Sequence, residues 1–303
     1  MASVEHNTSP QHRAAPTVAE VVAVADSLWP FATQESWDAS ELVIGRPQAQ
    51  VRRILVAVDP VSSVVTEAVR EHADLLLVHH PLMLGGQSSV AADTYKGRLV
   101  HEMIENRVAL LACHTNADSA HDGVSDALIR ACGVSTAQPL QPLDGNPDVG
   151  LGRIGPLDQP VALRELSERL AAQIPPTAQG LRVAGPAERM IHTVAVCGGA
   201  GGSLIQDVAA TDADVYVTAD LRHHLVSEAR EAAMHNDPDG GLCFIDVSHA
   251  ASEWLWTPVA ARALEAALEK AGYGVEVSVS THRTDPWDFQ IPSPHDQPQD
   301  RWT

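Results

Sequence analysis

Short runs of continuous aliphatic residues, each followed by a segment with helical spacing, constrain the fold of this 303-residue chain most strongly. The first half has three such runs, VRRILVAVD (51–59), DLLLVHHP (74–81) and VALLAC (108–113). The second half has four, HTVAVCGG (192–199), DVYVTAD (214–220), GLCFIDV (241–247) and VEVSVS (275–280). Strands that are apolar on both faces are typical of mostly parallel sheets flanked by helices. The sequence therefore predicts an α/β fold.

The same pattern divides the chain into two similar halves. Two of the strands begin with Asp and lead to a paired histidine, at DLLLVHH and at DVYVTADLRHH, which indicates an internal duplication. We predict a first α/β half over residues 17–140, a connecting segment over 141–190 and a second half over 191–283. The polar residues 1–16 are predicted to be disordered, and the Pro- and Asp-rich tail 284–303 to be flexible.

Charge, hydropathy and cysteine usage disfavour several classes of protein. The formal net charge is −19, and so acidic a surface repels phosphate backbones, which disfavours nucleic-acid binding. No apolar run approaches the ~18–20 residues that a membrane helix needs, and the first residues do not resemble a secretory signal. The four cysteines form no CxxC pair, which disfavours zinc ribbons and thiol redox chemistry. We therefore predict a cytoplasmic protein without membrane contact.

Histidines and a carboxylate follow directly on two of the predicted strands. Ligands bind at the carboxyl ends of strands in open α/β sheets, and His79 and His80 stand at such an end. Neighbouring side chains of an extended strand point apart, so both rings reach one site only if the chain turns before Pro81. The alternative is a pair of loop histidines that contact only water. The loop after the next strand offers Asp118, a carboxylate that can bridge two cations.

A third strand end carries His249-Ala-Ala-Ser-Glu253. A spacing of four places His249 and Glu253 on one face of a first helical turn, and this pair is a common half of a metal site. Many surface helices use the same pair only as a hydrogen bond. Because three separate strand ends supply such side chains, we predict one metal site, whose ligands are His79, His80, Asp118, His249 and Glu253.

Four more polar residues stand near these strand ends: His114, Asp220, His223 and His224. They are candidates for proton transfer, for substrate contact or for orienting a metal ligand. The alternative is that they are polar residues at helix starts. The glycine-rich segment VCGGAGGS (196–203) fits no nucleotide-binding motif, so close strand-to-helix packing is favoured over phosphate binding, and no organic cofactor is predicted.

Six segments carry a family resemblance: WDASELVIG (37–45), LLLVHHPLML (75–84), CHTNADSAHDGVSDAL (113–128), VCGGAGGSL (196–204), DVYVTADLRHH (214–224) and DVSHAASEW (246–254). Together they resemble the NIF3-like family, also known as GTP cyclohydrolase 1 type 2-like. The resemblance implies two interlocked α/β domains, a toroidal homohexamer and a dinuclear metal centre in each subunit. It also maps the family's ligands onto the five residues chosen above. The short 133–190 segment resembles the compact form, without an inserted domain.

Three places depart from the family pattern, and at two of them Ala219 and Ser248 stand where glycine is usual. Where the family usually has Trp-Asp-Asn-x-Gly-Leu, this chain has Trp37-Asp38-Ala39-Ser40-Glu41-Leu42. None of these changes touches a ligand position, so the resemblance still implies metal binding.

Three imidazoles and two carboxylates suit Zn²⁺, Mn²⁺ or Fe²⁺ better than Mg²⁺ or Ca²⁺. Two such ions about 3.5–4 Å apart can activate a water molecule. The predicted function is hydrolysis of a nucleotide or phosphoester, and the family name points to a purine nucleotide. The competing interpretation is a non-catalytic metal-binding or scaffolding ring. A ring that threads nucleic acid is disfavoured by the negative charge.

Overall fold

The computed structural model describes residues 13–236 and 241–291. Most of the segment predicted to be disordered (1–16) and most of the tail predicted to be flexible (284–303) lie outside these residues. Their described parts are attached to the rest of the chain. Ala14 forms a β-bridge with Tyr273, and the Ser248 hydroxyl donates a hydrogen bond to Asp285.

The first sheet has five strands, β1 (Glu41–Ile44), β2 (Arg53–Ala57), β3 (Leu75–Val78), β4 (Ala109–Ala112) and β11 (Glu276–Val279). Their order is β1-β4-β3-β2-β11. The strands are parallel except for β1, which pairs antiparallel with β4 at one edge. The prediction of a mostly parallel sheet therefore holds for this part of the molecule.

Helices cover both faces of the first sheet. One face packs against α1 (Val18–Leu28) and α10 (Thr257–Lys270), and the other against α2 (Ser62–Arg70) and α3 (Tyr95–Glu105). Successive strand residues point to opposite faces. Leu77 accordingly packs in the core under α1 and α10, whereas Leu76 packs under α2 and α3. Such burial on both sides explains why the strands read as continuous aliphatic runs.

The second sheet has six strands, β5 (Gln138–Leu143), β6 (Asn146–Ala162), β7 (Arg182–Ala184), β8 (Met190–Val196), β9 (Val215–Ala219) and β10 (Cys243–Val247), in the order β5-β6-β8-β9-β10-β7. β8, β9 and β10 are parallel, and the other pairings are antiparallel, so this sheet is mixed. One face packs against α5 (Val124–Ala131) and α6 (Leu163–Ala171), and the other against α7 (Ile205–Ala209) and α8 (His223–Asn236). The predicted α/β fold with two helix-flanked sheets is confirmed.

The two halves of the sequence do not coincide with the two sheets and their flanking helices. The helical segment that follows β10 is divided into α9 (His249–Trp254) and α10, which packs on the first sheet ahead of β11. Residues 257–279 thus belong to the first sheet and its helices, although the sequence places them in the second half. The segment 141–190, which the sequence presents as a connection, carries all of β6 and β7. β6 contains glycine and proline, and its pairing with β8 outweighs its weak strand propensity.

Strand ends from both sheets meet at the same place. His79, which follows β3 in the first sheet, lies against Glu253, which follows β10 in the second. His114, which follows β4, packs against His79, and Asp220, which follows β9, contacts His249. Within the described ranges, no helix is long and apolar enough to cross a membrane.

Candidate metal centre

The chain bends sharply after β3, and the bend brings two neighbouring histidines to the same place. The N–H groups of His79 and His80 both donate to the Val58 carbonyl, at 3.1 and 2.9 Å. The centroids of the two rings lie 5.0 Å apart. The His79 side chain is fully buried, whereas that of His80 is 23% exposed. The turn that a shared site requires is therefore present.

The first turn of α9 presents an imidazole and a carboxylate on one face. His249 Nε2 lies 3.0 Å from Glu253 Oε1. The buried Glu253 carboxylate also reaches both histidines of the β3 bend, with Oε1 3.5 Å from His79 Nε2 and Oε2 3.2 Å from His80 Nε2. Glu253 thus stands among three imidazoles, two from the first sheet and one from the second.

Gly199 leaves the space that this carboxylate occupies. Its φ of +64° lies in the left-handed region, and a Cβ there would stand 2.3 Å from Glu253 Oε1 and 3.1 Å from His249 Nε2. The Gly199 N–H donates to the Ser252 hydroxyl at 3.0 Å, which ties the glycine to α9. At this position the glycine-rich segment serves close packing against the side chains of the centre.

Asp118 lies in a short helix, α4 (Thr115–Ser119), rather than in a loop. Its largely buried carboxylate is directed towards the β3 bend, with Oδ1 3.8 Å from His79 Nε2. Burial raises the pKa of Asp118 above its ordinary value, although the rings of His79 and His114 favour the charged form. The structure thus places all five predicted ligand residues in one cluster.

His114 directly precedes α4, and its ring packs against both histidines of the β3 bend, at centroid distances of 5.1 and 5.4 Å. Its Nδ1 lies 2.8 Å from Asp38 Oδ1. The Asp38 carboxylate also accepts the Thr115 N–H at 2.9 Å and the Ser40 hydroxyl at 3.1 Å. Burial alone would raise the pKa of Asp38, but the hydrogen bonds from His114 and Thr115 hold it well below its ordinary value.

The four histidine rings of the cluster share one pattern of hydrogen bonding. In each ring Nδ1 faces an oxygen atom: the Cys113 carbonyl for His79 (3.0 Å), Asp59 for His80 (2.7 Å), Asp38 for His114 (2.8 Å) and Asp220 for His249 (2.7 Å). Carbonyl and ionised carboxylate oxygens only accept, so in a neutral ring Nδ1 carries the proton and Nε2 the lone pair. The same arrangement orients the histidine ligands of protein metal sites.

Three polar atoms at the centre of the cluster are buried and have no hydrogen-bond partner among the described residues: His79 Nε2, Asp118 Oδ1 and Glu253 Oε2. A buried polar atom without a partner costs about 1–3 kcal/mol, so their occurrence together needs a physical reason. A cation supplies one because it pairs with lone pairs and negative charge at the same time. The donor set, imidazole nitrogen with carboxylate oxygen, suits zinc, manganese or iron. The residues present therefore fit a bound divalent metal.

In the absence of a metal ion, ionised carboxylates and protonated imidazoles of the cluster stabilise one another. Burial alone would raise the pKa of Glu253, but the surrounding imidazoles hold it well below its ordinary value. Burial likewise disfavours a charged ring at His249, but Glu253 and Asp220 raise the pKa of His249 to about 9. Protons and a divalent cation therefore compete for the same atoms.

Of the remaining predicted site residues, one lies in the cluster and two lie outside it. Asp220 joins the cluster through His249. His223 and His224 lie exposed at the start of α8, with their rings 5.1 Å apart, and no hydrogen bond joins them to the cluster within the described residues. Sequence reasoning missed the roles of Asp38 and Asp59. Asp59 follows an aliphatic strand run just as His79 does, and that position was the available signal.

Solved structures of similar proteins share this fold. A Bacillus cereus protein related to NIF3 superposes with a TM-score of 0.82 at 22% identity, covering 91% of this chain and 100% of that one. A Staphylococcus aureus hypothetical protein gives the same TM-score and the same coverages at 24% identity.

Sequence comparisons give relatives of higher identity. A Streptomyces coelicolor protein named GTP cyclohydrolase 1 type 2 homolog is 47% identical over 280 residues, which cover 92% of this chain and 96% of the relative. A Mycobacterium tuberculosis protein of the same name is 33% identical over an alignment of 386 positions, covering 92% and 99%. The family model described as Duf34/NIF3 (NGG1p interacting factor 3) matches residues 16–286. Because this match spans most of the chain and agrees with the relatives, the protein belongs to the Duf34/NIF3 family.

Proposed function

We propose that this chain is a metal-dependent hydrolase of a nucleotide or related phosphoester, with two zinc, manganese or iron ions held by His79, His80, Asp118, His249 and Glu253. The observation that carries the proposal is that His79, Asp118 and Glu253 each hold a buried nitrogen or oxygen atom that has no hydrogen-bond partner among the described residues. The name shared by the relatives, GTP cyclohydrolase 1 type 2 homolog, favours a guanine nucleotide among the candidate substrates.

The contribution of the chain itself is to orient the ligands and to exclude water. A bound divalent cation would supply a Lewis acid and lower the pKa of a water molecule. Asp59 and Asp220 fix the tautomer and direction of the His80 and His249 rings. The fully buried His79 closes the inner side of the cluster to solvent. Pre-set rings and a closed inner side reduce the reorganisation that a reaction there requires.

The substrate is expected to enter from the second sheet, where the cluster is open. The side chains of His249 and Asp220 are 34% and 61% exposed. At another part of the rim Trp37 is 56% exposed and packs edge-on against the His114 ring, with the centroids 5.8 Å apart. A flat apolar ring beside the centre offers a stacking surface for a base, and this supports a nucleotide over a simple phosphoester.

Removing one charge from the centre tests the proposal. Wild-type protein, Glu253→Gln and the control Glu228→Gln, which changes an exposed side chain of α8, are each loaded with zinc, manganese or iron. Hydrolysis of GTP, other nucleotides and a chromogenic phosphodiester is then followed. We expect turnover by wild type and by the control, and turnover near background for Glu253→Gln. If metal-loaded wild type and Glu253→Gln are equally inactive on every substrate, the non-catalytic metal-binding ring is the correct function.

We also propose that the chain assembles into the toroidal homohexamer implied by the family resemblance, and that it works in the cytoplasm. Trp287, Phe289 and Ile291 are 63%, 78% and 83% exposed in the described chain, and three large apolar side chains within five residues support a contact surface between subunits. Free rather than disulfide-bonded cysteines support the reducing compartment. Light scattering on the purified protein measures the assembly, and a monomeric mass would contradict it.

A further inference from the structure

We propose that His114 is itself a metal ligand, a fourth imidazole of the centre, and that Asp38 is the residue that positions it. The inference rests on the metal-binding part of the proposed function and extends its set of five ligands by one. It does not depend on whether the centre is catalytic.

The donor atoms form two overlapping groups rather than one. One ring nitrogen from each of His79, His80 and His114 lies within 4.8 Å of the other two, and His80, His249 and Glu253 form a second group of the same kind. Nitrogen ligands bind zinc at about 2.0–2.1 Å, so three rings at this spacing need to shift by less than about 1 Å each to share an ion. His80 belongs to both groups, but its Nδ1 faces Asp59, so its single free nitrogen binds only one of two ions.

Without His114 the first group has three donors, one fewer than the four of a complete tetrahedral zinc site. It would keep two histidines, with the Asp118 carboxylate beside His79 at 3.8 Å. With His114 it offers three imidazoles and a carboxylate, a complete tetrahedral ligand set for zinc. The second group has three donors, His80, His249 and Glu253, so the sixth ligand completes the first ion position only.

The His114 ring presents its free nitrogen in the same way as the other three. Asp38 holds Nδ1 at 2.8 Å, which leaves the Nε2 lone pair as the only metal-binding atom. Two other rings pack edge-on against the His114 ring. The angle between ring planes is 76° for Trp37 and 71° for His79. A ring fixed by a buried carboxylate and by packing is preorganised to bind an ion.

A purely structural role for the ring is the alternative, and neighbouring hydrogen bonds argue against it. The His114 N–H donates to the Ser40 hydroxyl at 3.0 Å, and the Thr115 N–H donates to Asp38 at 2.9 Å. The Glu35 N–H donates to the Thr115 hydroxyl at 2.9 Å. These bonds attach residues 35–40 to the end of β4 without using the imidazole. Shortening the side chain therefore leaves the loop in place.

Cobalt(II) binding to the full-length protein tests the proposal. Metal-free wild type, His114→Ala, Asp38→Asn and the control His224→Ala, which removes an exposed histidine, are titrated with cobalt(II) and read by visible absorption. Zinc affinity is measured by competition with a chelating dye. Thermal melting of the metal-free proteins shows whether each variant is folded. His114→Gly with added imidazole provides a rescue experiment.

For His114→Ala we expect a changed cobalt spectrum and a loss of more than about 100-fold in affinity at one of two ion positions, because removing an outer partner alone costs about 10–100-fold. Asp38→Asn should fall in that 10–100-fold range, imidazole should restore the spectrum of His114→Gly, and His224→Ala should match wild type. Two ions bound by His114→Ala within twofold of wild type, with an unchanged spectrum, would overturn the proposal. If wild type binds metal but hydrolyses no substrate, only the proposed hydrolase function is contradicted. If wild type binds no stoichiometric metal, both the hydrolase function and the role of His114 as a ligand are contradicted.

Discussion

The two histidine pairs of this chain occur in the same local sequence pattern, a strand that begins with Asp and ends near His-His, yet only one pair reaches the centre. His79 and His80 follow β3 without a gap, and the bend there directs both rings into the cluster. His223 and His224 stand four and five residues after Ala219, the last residue of β9, and begin an exposed helix. The distance from the strand end, rather than residue type, decides which pair contributes.

The position directly after the strand is the equivalent one in the two sheets. After β3 it is occupied by His79, and after β9 by Asp220. Asp220 adopts a φ of +55°, a left-handed conformation that Asp tolerates better than most residues, and its carboxylate holds the His249 ring. One sheet therefore supplies rings at its strand end, whereas the other supplies the acceptor that orients a ring.

The largest expected effect is on zinc affinity, when a histidine of the first pair is replaced and a histidine of the second pair serves as the control. We expect His80→Ala to lower zinc affinity by more than about 100-fold, because His80 is shared by both donor groups and ligand loss exceeds the 10–100-fold cost of losing an outer partner. His224→Ala serves as the matched control and should leave affinity within twofold of wild type. Chelator competition measures both. Equal losses in the two variants would show that the second pair also takes part.

A further test concerns Gly199, which follows β8 by three residues. In Gly199→Ala the new Cβ would meet the Glu253 carboxylate, so we expect loss of stoichiometric zinc together with a backbone strain of about 1–2 kcal/mol. Gly180→Ala is the control because Gly180 has a similar φ of +58° with nothing within 4 Å of the added Cβ. The control should show the strain as a lower melting temperature and keep its metal. Metal retained by Gly199→Ala would mean that the carboxylate can move away.

Sequence reasoning identified the seven strands that are aliphatic runs, their flanking helices and five side chains that lie close together, because these are local signals: aliphatic runs, strand ends and a spacing of four. It did not identify β1 or β5 to β7. It missed what depends on distant partners. Asp38 holds a ring 76 residues away, and nothing in WDASELVIG distinguishes that carboxylate from a turn residue. The division of the chain into sheets was also beyond local pattern. β11 reads as the last strand of the second half, and only its pairing with β2 assigns it to the first sheet.

The role of the carboxylate at the β9 end predicts a moderate effect. Asp220→Gly removes the acceptor for His249 Nδ1 while keeping a residue that accepts positive φ, so we expect zinc affinity to fall about 10–100-fold. Asp122→Gly is a matched control, because Asp122 has a φ of +53° and, among the described residues, forms an ion pair only with the exposed Arg130. Its affinity should not change. If both variants bind zinc like wild type, orientation of the His249 ring does not depend on Asp220.

The smallest expected effect is a pH dependence that belongs to the clustered histidines. In metal-free protein the pKa of His249 is raised to about 9 from an ordinary value of 6.5, so the folded state favours the charged ring. This stabilisation is complete below pH 6.5 and is lost as the pH rises through 9, while the Glu253 carboxylate, with its lowered pKa, stays ionised throughout. The melting temperature of chelated wild type should therefore fall across this interval, and that of His249→Gln should fall less. The difference should be small because the His249 side chain is 34% exposed and solvent screens the pair. His224→Gln should follow the wild-type curve, and a curve that instead follows His249→Gln would show that the exposed pair is coupled to the centre after all.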